Sequence, residues 1–581
     1  MTRLGWAVLG LATAALPLFT ANTYYLYVGA SAGLLVIVTA GLNVLAGFTG
    51  QISLGHAGFY AIGAYTAALC TLKAGWNPGL AALAAVALAA LVGAAVAGAA
   101  LRVSGPYLAM VTIAFGIIVE GVLVEWVSVT GGPGGIFNIP KLPLRHYYWI
   151  ISAAAAAALW LVANLRRSAW GRALLAVRGS DVAAESLGLS AYYVRIVAFT
   201  VSAAFAGAGG SLFAFLNGYV SPDSFTLQTS ILFLLALLFG GEGRVAGPVV
   251  GSLALTLLPE LLTGMADYRL IFYGGLLLLS IYWLPSGVVG AIARGRPPGS
   301  MWAPAPGEVG PEELGESGDR SKEGDPAKKL LHVEEVGLSF GGVAALADVS
   351  LSVPSRGIHA VIGPNGAGKT TLLNVLSGFY APDGGAIRLD AASVAGRPPY
   401  AIARLGVART FQTAQLFGDL TVLENVAVGV AGPRLGGVLP TLLGTPGVRG
   451  SDRVLRRSAL SLLRATGLSE WADRPADAMP AGLRRKVEIA RALATHPRLL
   501  LLDEPAAGLS PSEIKELDRQ LIALRDRGGP AIVLVEHHME LVMAVSERIT
   551  VLDYGRVIAS GPPEDVRGHP AVIEAYLGAA A

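Results

Sequence analysis

Cysteine is nearly missing from this chain of 581 residues: there is one, Cys70, set in an apolar run. An intrachain disulfide is impossible, and a zinc or iron–sulfur centre held by a cysteine cluster is excluded. Charge is the second scarcity. Asp, Glu, Lys and Arg supply only 14% of the residues against 53% hydrophobic, and most of that charge lies after residue 295. A soluble basic protein is therefore excluded as a description of the whole chain. The formal net charge is only +3, and the basic residues form no dense patch away from the edges of apolar runs. No nucleic-acid partner is expected.

Long apolar runs fill the first half, and the mean hydropathy of the chain is +0.58. The run from Leu4 to Phe19 reads as a first membrane helix rather than a cleaved signal, because no polar mature domain follows it. Further runs cover 24–48, 52–72, 78–101, 107–129, 147–165, 194–216, 227–239, 245–262 and 270–292. A span needs about 20 residues, so these give about eight to ten crossings surrounded by membrane lipid. Alanine and glycine crowd them, which predicts close helix packing. Gln51, Ser53 and His56 break the apolar pattern, and polar groups at membrane depth require partners or water. They predict a broken helix lining a path, with His56 either a pathway group or a packing or interfacial histidine.

After residue 295 the chemistry changes. Pro, Gly, Glu, Ser and Asp dominate 297–325, the composition of a flexible segment. The expected division is a membrane domain over 1–295, a cytoplasmic linker over 296–329 and an α/β domain over 330–581. Within the last, Gly363-Pro364-Asn365-Gly366-Ala367-Gly368-Lys369-Thr370-Thr371 follows a strand-like run, 359–362, and precedes a helical one. This is a phosphate-binding loop. Its glycines let backbone N–H groups close around phosphate oxygens, Lys369 reaches the outer phosphates, and the Thr370 hydroxyl joins a Mg²⁺ shell. ATP and Mg²⁺ are the expected cofactors. Further on, 499–504 reads Leu-Leu-Leu-Leu-Asp-Glu, a buried strand ending in two carboxylates. Asp503 is placed to hold Mg²⁺ and Glu504 to polarise water.

Because ATP is cytoplasmic, the last membrane helix is expected to end there, in agreement with Arg294 and Arg296. The polar interruption at 164–195 carries Arg166, Arg167, Arg172, Arg178 and Arg195, which places it on the same side. Within it, Ser180 or Asp181 is expected to cap a short helix reaching Leu187, with Glu185 near its positive end and Gly188 stopping it. That helix is the expected docking element for the ATPase domain, near Gln412.

Over its full length the chain resembles the ATP-binding cassette family. The resemblance implies that Phe340 stacks on adenine, that Gln412, in 409–412 (Arg-Thr-Phe-Gln), contacts metal and permease, and that His537 contacts the γ-phosphate. It places the signature segment at Met479-Pro480-Ala481-Gly482-Leu483, where Pro480 stands in place of the serine of Leu-Ser-Gly-Gly-Gln. It also implies head-to-tail closure of two nucleotide domains, each ATP lying between one P-loop and the other signature. The stretches 363–371, 376–380, 503–509 and 572–578 are similar to the ATP-binding subunit of branched-chain amino acid importers. Those at 41–43, 58–65, 171–173, 186–190 and 221–225 are similar to a permease subunit of the same importers. The implied assembly is an inner-membrane importer with a second permease, a second ATPase and an extracytoplasmic solute-binding protein. The family also handles urea, short amides and aromatic acids. An exporter half-transporter would carry long charged helical extensions that this sequence lacks, and the polar break at 51–56 argues against a membrane-anchored ATPase that carries no solute.

Overall fold

The computed structural model describes residues 17–20, 22–101, 105–261, 268–293 and 329–577. The expected helix at 4–19, apart from 17–19, lies outside the described residues, as do Arg294, Arg296, Gly578 and the linker up to 328. Contacts divide the chain into two units. The first comprises Met1–Leu174, Tyr192–Pro297 and Gly436–Val448; the second comprises Leu175–Ala191, Pro298–Leu435 and Arg449–Ala581. Each unit has thus taken a segment that linear domain boundaries would give to the other.

The first unit is helical. Its apolar helices are α1 (Thr23–Leu42), α2 (His56–Leu72), α3 (Pro78–Ala100), α4 (Pro106–Glu125), α5 (Leu144–Arg167), α8 (Ala191–Asn217), α9 (Leu227–Gly240), α10 (Gly247–Leu261) and α11 (Arg269–Trp283). The intervening α6 (Ala169–Gly179) and α7 (Asp181–Ser186) are short and polar-flanked. Six helices among the described residues are long and apolar enough to cross a membrane, while stretches such as Gly247–Leu258 and Ile271–Ser280 are shorter. Asn22 starts α1 by accepting from the Tyr24 N–H at 2.9 Å, and Asn77 starts α3 by accepting from Gly79 at 2.8 Å with Pro78 in the first turn. These caps satisfy amide donors that no turn of helix can reach. Small residues then set the spacing, as in other membrane bundles. A Cβ on Gly63 would lie 2.2 Å from the Gly207 carbonyl oxygen, so α2 and α8 touch backbone to backbone there.

The break expected between α1 and α2 is present: α1 runs into a π-helical stretch, Asn43–Gly47, and residues 50–55 are not helical. Gln51, Ser53 and His56 are all buried. Gln51 accepts from Thr49 at 3.4 Å, and the His56 ring bonds Ser53 Oγ at 2.8 Å and Ser202 Oγ at 2.7 Å. Thr112 of α4 and Ser230 of α9 accept from the N–H groups of Leu54 and Ala57 at 3.1 and 2.9 Å. Four helices thus meet at one broken backbone, which supplies the internal partners that lipid cannot.

The second unit is built on two sheets. The smaller joins β1 (Lys329–Phe340), β2 (Val343–Pro354), β4 (Gly384–Leu389) and β5 (Ala392–Ser393) in the antiparallel order β2-β1-β4-β5. The larger has the order β10-β9-β3-β8-β7-β6, drawn from β3 (Ile358–Ile362), β6 (Val407–Arg409), β7 (Leu499–Asp503), β8 (Ala531–Val535), β9 (Arg548–Asp553) and β10 (Arg556–Gly561). All of its pairs are parallel except β10 with β9. Every residue of β3, β7 and β8 is buried, which is why those strands are almost wholly apolar, with only His359 in β3 and Asp503 at the end of β7 polar.

Leu175–Ala191 belongs to this second unit. Ser180 accepts from the Ala183 N–H at 3.2 Å and so caps α7, and Gly188, at φ +84°, ends it. The Gly188 N–H donates to Glu185 O at 3.0 Å and the Leu189 N–H to Ala184 O at 3.2 Å, a left-handed stop. One expectation is corrected. Asp181 occupies the first turn, whereas Glu185 is the fifth residue of six, at the negative, carboxyl end of the helix.

Candidate active site

Ligand-contacting loops of an open parallel sheet leave the carboxyl ends of its strands. Here β3, β8, β7 and β6 are consecutive neighbours, so the residues just after each are brought side by side. After β3 come Gly363 to Thr370, after β8 Glu536 and His537, after β7 Glu504, and after β6 Thr410 to Gln412. Residues more than 170 positions apart meet because strand order, not sequence order, sets their distance.

The convergence centres on Glu504. Its Oε2 accepts from Gln412 Nε2 at 2.8 Å and its Oε1 lies 2.7 Å from His537 Nε2. Its backbone sits at φ +46°, a conformation uncommon outside glycine, with its N–H donating to Val535 O at 2.8 Å. Such strain persists where surrounding contacts over-determine it. In the P-loop, the Lys369 ammonium donates to the carbonyl oxygens of Gly363 at 2.8 Å and Pro364 at 2.9 Å. Burial lowers its pKa, an effect that the charges of Glu504 and Asp503 oppose. Thr370 is exposed at the first turn of α12 (Lys369–Leu376).

Asp503 is buried, and its Oδ2 accepts from Arg409 at 3.0 Å, whereas Oδ1 is a buried oxygen without a hydrogen-bond partner. Burial raises the Asp503 pKa and Arg409 opposes the rise. A buried carboxylate oxygen left unbonded calls for a cation or a donor, so Asp503 with the exposed Thr370 hydroxyl fits the shell of a hard divalent ion. Phe340 is 46% exposed at the end of β1 and meets Tyr380 edge-on, with ring centroids 5.2 Å apart. An exposed ring there is free to stack on a base.

Three residues to which the sequence reading gave no role prove central. Arg409 donates not only to Asp503 but to Asn374 Oδ1 at 2.6 Å and Ser377 Oγ at 2.8 Å, tying β6 to α12 and its end. Glu536, buried after β8, accepts from the Ala506, His537 and His538 N–H groups at 2.6, 3.0 and 3.3 Å. Arg485, on α17 (Ala481–Leu493), is buried and donates to the carbonyls of Phe411, Gln412, Asp503 and Glu504, the last at 2.8 Å, and to Glu488 at 2.7 Å. Glu488 in turn accepts from the Phe411 and Gln415 N–H groups at 3.2 and 3.3 Å. No sequence spacing signals this, because the arginine's partners are mostly backbone atoms of distant loops.

Removing one member of a buried ion pair costs about 3–5 kcal/mol, so Arg485→Ala is expected to lower the melting temperature markedly. Arg485→Lys keeps the charge but not the planar fork. It is expected to fold and bind ATP while hydrolysing it about tenfold more slowly, since losing one net hydrogen bond of about 1.4 kcal/mol at Glu504 has that effect. Steady-state turnover beside nucleotide-binding titration checks this, and a change in affinity alone would refute it.

The signature segment begins α17. Pro480 is its N-cap residue, extended at φ −56° and ψ 153°, and supplies no side-chain cap; Met479 and Gly482 are buried, while Ala481 is exposed and Leu483 half-buried. Gly482 lies against a carboxylate: a Cβ there would be 1.9 Å from Glu513 Oε1. Glu513 is the third residue of α18 (Pro511–Asp526), held by the N–H and hydroxyl of Ser510 at 2.8 and 2.7 Å, bonds that lower its pKa.

The segment 175–191 contacts the rest of its unit at three places. Arg404 Nε, at the end of α13 (Pro399–Arg404), donates to Gly188 O at 3.0 Å, and a Cβ on Gly188 would lie 3.4 Å from Arg404 Cγ and Pro433 Cδ. Gly179 faces Phe417, and Arg178 lies 3.7 Å from Asp419. Phe417 and Asp419 follow Gln412 by five and seven positions, on the stretch that carries this side chain to Glu504.

Comparison with known proteins gives matches in both halves. Residues 24–281 match the family model described as a branched-chain amino acid transport system permease component, 346–507 that of the ABC transporter, and 556–581 that of the branched-chain amino acid ATP-binding cassette transporter. The high-affinity branched-chain amino acid transport ATP-binding protein LivG of Salmonella typhimurium is 45% identical over 254 residues, which are 44% of this chain and 100% of that protein. BraF of Pseudomonas aeruginosa, carrying the same description, is 43% identical over the same shares. A solved nucleotide-free ATP-binding cassette from an ABC transporter is 31% identical, covers 43% of this chain and 98% of its own, and has a TM-score of 0.38.

Proposed function

The chain belongs to the branched-chain amino acid ATP-binding cassette transporters, and from that premise we propose that it is a fused permease and ATPase of an importer. The solute is a branched-chain amino acid or a related small molecule, and the barrier is the inner membrane. The chain works with a second permease, a second ATPase and an extracytoplasmic binding protein. The observation that carries the reading is the meeting of Gln412, His537 and Glu504 beside a P-loop, in a chain whose other unit holds, among the described residues, six helices fit to span a membrane.

The residues divide the work as follows. Phe340 stacks on the base, and the amides of 363–368 with Lys369 bind the phosphates. Thr370, Gln412 and Asp503 would hold Mg²⁺, which when bound would offset phosphate charge. Glu504 orients the attacking water by accepting its proton. His537 and Gln412 hold the Glu504 carboxylate in place, and Arg485 fixes its backbone from behind. Because Gln412 and the contact of Arg178 and Gly179, at the end of α6, with Asp419 and Phe417 share one stretch, closure around ATP pulls on the docking segment, a packed element with two positions.

Uptake by reconstituted vesicles with ATP inside and the binding protein and solute outside tests the reading. Accumulation there with a branched-chain amino acid supports it; ATP-driven movement in the opposite sense, or hydrolysis unaccompanied by transport, refutes it. A narrower prediction concerns Gly188. The left-handed conformation costs a residue with a Cβ about 1–2 kcal/mol, and here the new Cβ would come into van der Waals contact with Arg404 and Pro433. Gly188→Val is expected to reduce transport about tenfold while hydrolysis falls far less, and parallel loss of both would count against the docking role.

A further inference from the structure

The segment Gly436–Val448 groups with the membrane unit, and nothing in the hydrolytic chemistry uses it. Its short helix, α15 (Val438–Leu442), packs on α5. Asn164 Nδ2 of α5 donates to Leu442 O at 3.0 Å, and Trp170 Nε1 donates to Gly436 O at 3.0 Å. Gly444, at φ +59°, lies so close to Asn164 that a Cβ would be 2.8 Å from its Nδ2. The segment is therefore fastened at both ends to one level of the membrane unit.

That level is set by α5 itself, whose last turn carries Arg166 and Arg167 after an apolar body. At 1.5 Å per residue, Asn164 lies about 5 Å from Arg167 along the axis, which puts the bonded Leu442 at the boundary between acyl chains and headgroups. At this depth Leu439 is 66% exposed and Leu443 46% exposed. Four positions apart, they share one helix face, with exposed Pro440 beside Leu439. The neighbouring sequence is basic: 434–457 contains Arg434, Arg449, Arg453, Arg456 and Arg457 against Asp452 as its one acid. Apolar side chains at the level of Arg166 and Arg167, the basic cytoplasmic end of a spanning helix, are the pattern of an element lying in the interface plane.

We propose that 436–448 is a membrane-interface anchor, in which Leu439 and Leu443 enter the cytoplasmic leaflet at the headgroup level that Arg166 and Arg167 mark. The ATPase half of the sequence thereby holds the bilayer directly. The anchor rests on the membrane reading of the first unit, and the test separates the two.

In the assembled transporter, reconstituted in phosphatidylglycerol-containing nanodiscs with Cys70→Ser as background, Leu439→Cys and Leu443→Cys are labelled separately with a fluorophore. Each is then exposed to brominated-acyl lipid or to aqueous iodide, once its ATP hydrolysis is confirmed. Leu278→Cys, from the exposed apolar surface of α11, is the lipid control, and Tyr554→Cys, 84% exposed in the second unit, is the water control. Quenching of positions 439 and 443 by brominated lipid is expected to be at least about twice that at 554. Quenching by iodide alone would overturn the anchor, and so would protection from both, which would assign the face to a protein partner. Failure of brominated lipid at 278 would instead indict the membrane assignment.

Discussion

Replacing Glu504 by glutamine is expected to leave ATP binding intact and slow hydrolysis about 10²-fold or more. The carboxylate sits where two donors converge, Gln412 on one oxygen and His537 on the other. Glutamine keeps the volume and one acceptor, but its amide NH₂ must face one of these donors, and it accepts no proton from water. The backbone at φ +46° stays fixed, because Val535 and Arg485 hold its N–H and carbonyl, so the loss is chemical rather than structural. Measurement belongs in the complete assembly, with the partner ATPase silenced by its own mutation so that residual turnover comes from this chain. Near-normal hydrolysis there, with nucleotide affinity unchanged, would show that Glu504 is not the group that activates water.

How much of this was legible beforehand depended on whether a residue's role follows from its own neighbours in sequence. The P-loop and the strand before Asp503 carried their signals locally: a glycine pattern between strand and helix, and an apolar run with carboxylates at its end. Ser180 and Gly188 were likewise local, a cap and a stop, and the structure has both. Glu185 belongs instead to the negative, carboxyl end of α7, because it lies a full turn beyond Asp181 in a helix of six residues. Arg485, Glu488 and Glu536 stayed invisible for a different reason. Each is a buried charge with at least one backbone partner far away in sequence, Glu504 O for Arg485, the Phe411 N–H for Glu488 and the Ala506 N–H for Glu536, and sheet order brings these partners within reach. The membership of 436–448 in the membrane unit was equally hidden. It depends on Asn164 and Trp170 binding main-chain carbonyls, and carbonyls have no sequence signature.

Lys369→Ala is expected to cost the complex more ATPase activity than the matching lysine change in its partner, with the loss at about 10²-fold, since charge on the transferring phosphoryl group goes uncompensated. The lysine is held inside its loop by the Gly363 and Pro364 carbonyls, so its ammonium is positioned at the phosphate end and alanine leaves no substitute. The asymmetry comes from the signature. In the head-to-tail closure implied by the family resemblance, the ATP on Lys369 meets the partner's signature, while the ATP on the partner meets Met479 to Leu483 of this chain. Pro480 offers neither a hydroxyl nor an N–H, and the buried Gly482 already lies against the Glu513 carboxylate. A negative charge beside the first turn of α17 opposes the phosphate that this helix end would otherwise attract. The partner's site is thus the weaker of the two wherever the partner carries a serine-containing signature, and the site on Lys369 carries most of the turnover. Turnover of the two single lysine mutants in one reconstituted complex decides the matter: equal losses, or a larger loss from the partner's mutation, would mean that Gly482 and the helix N-terminus serve the second site as well as a complete signature does.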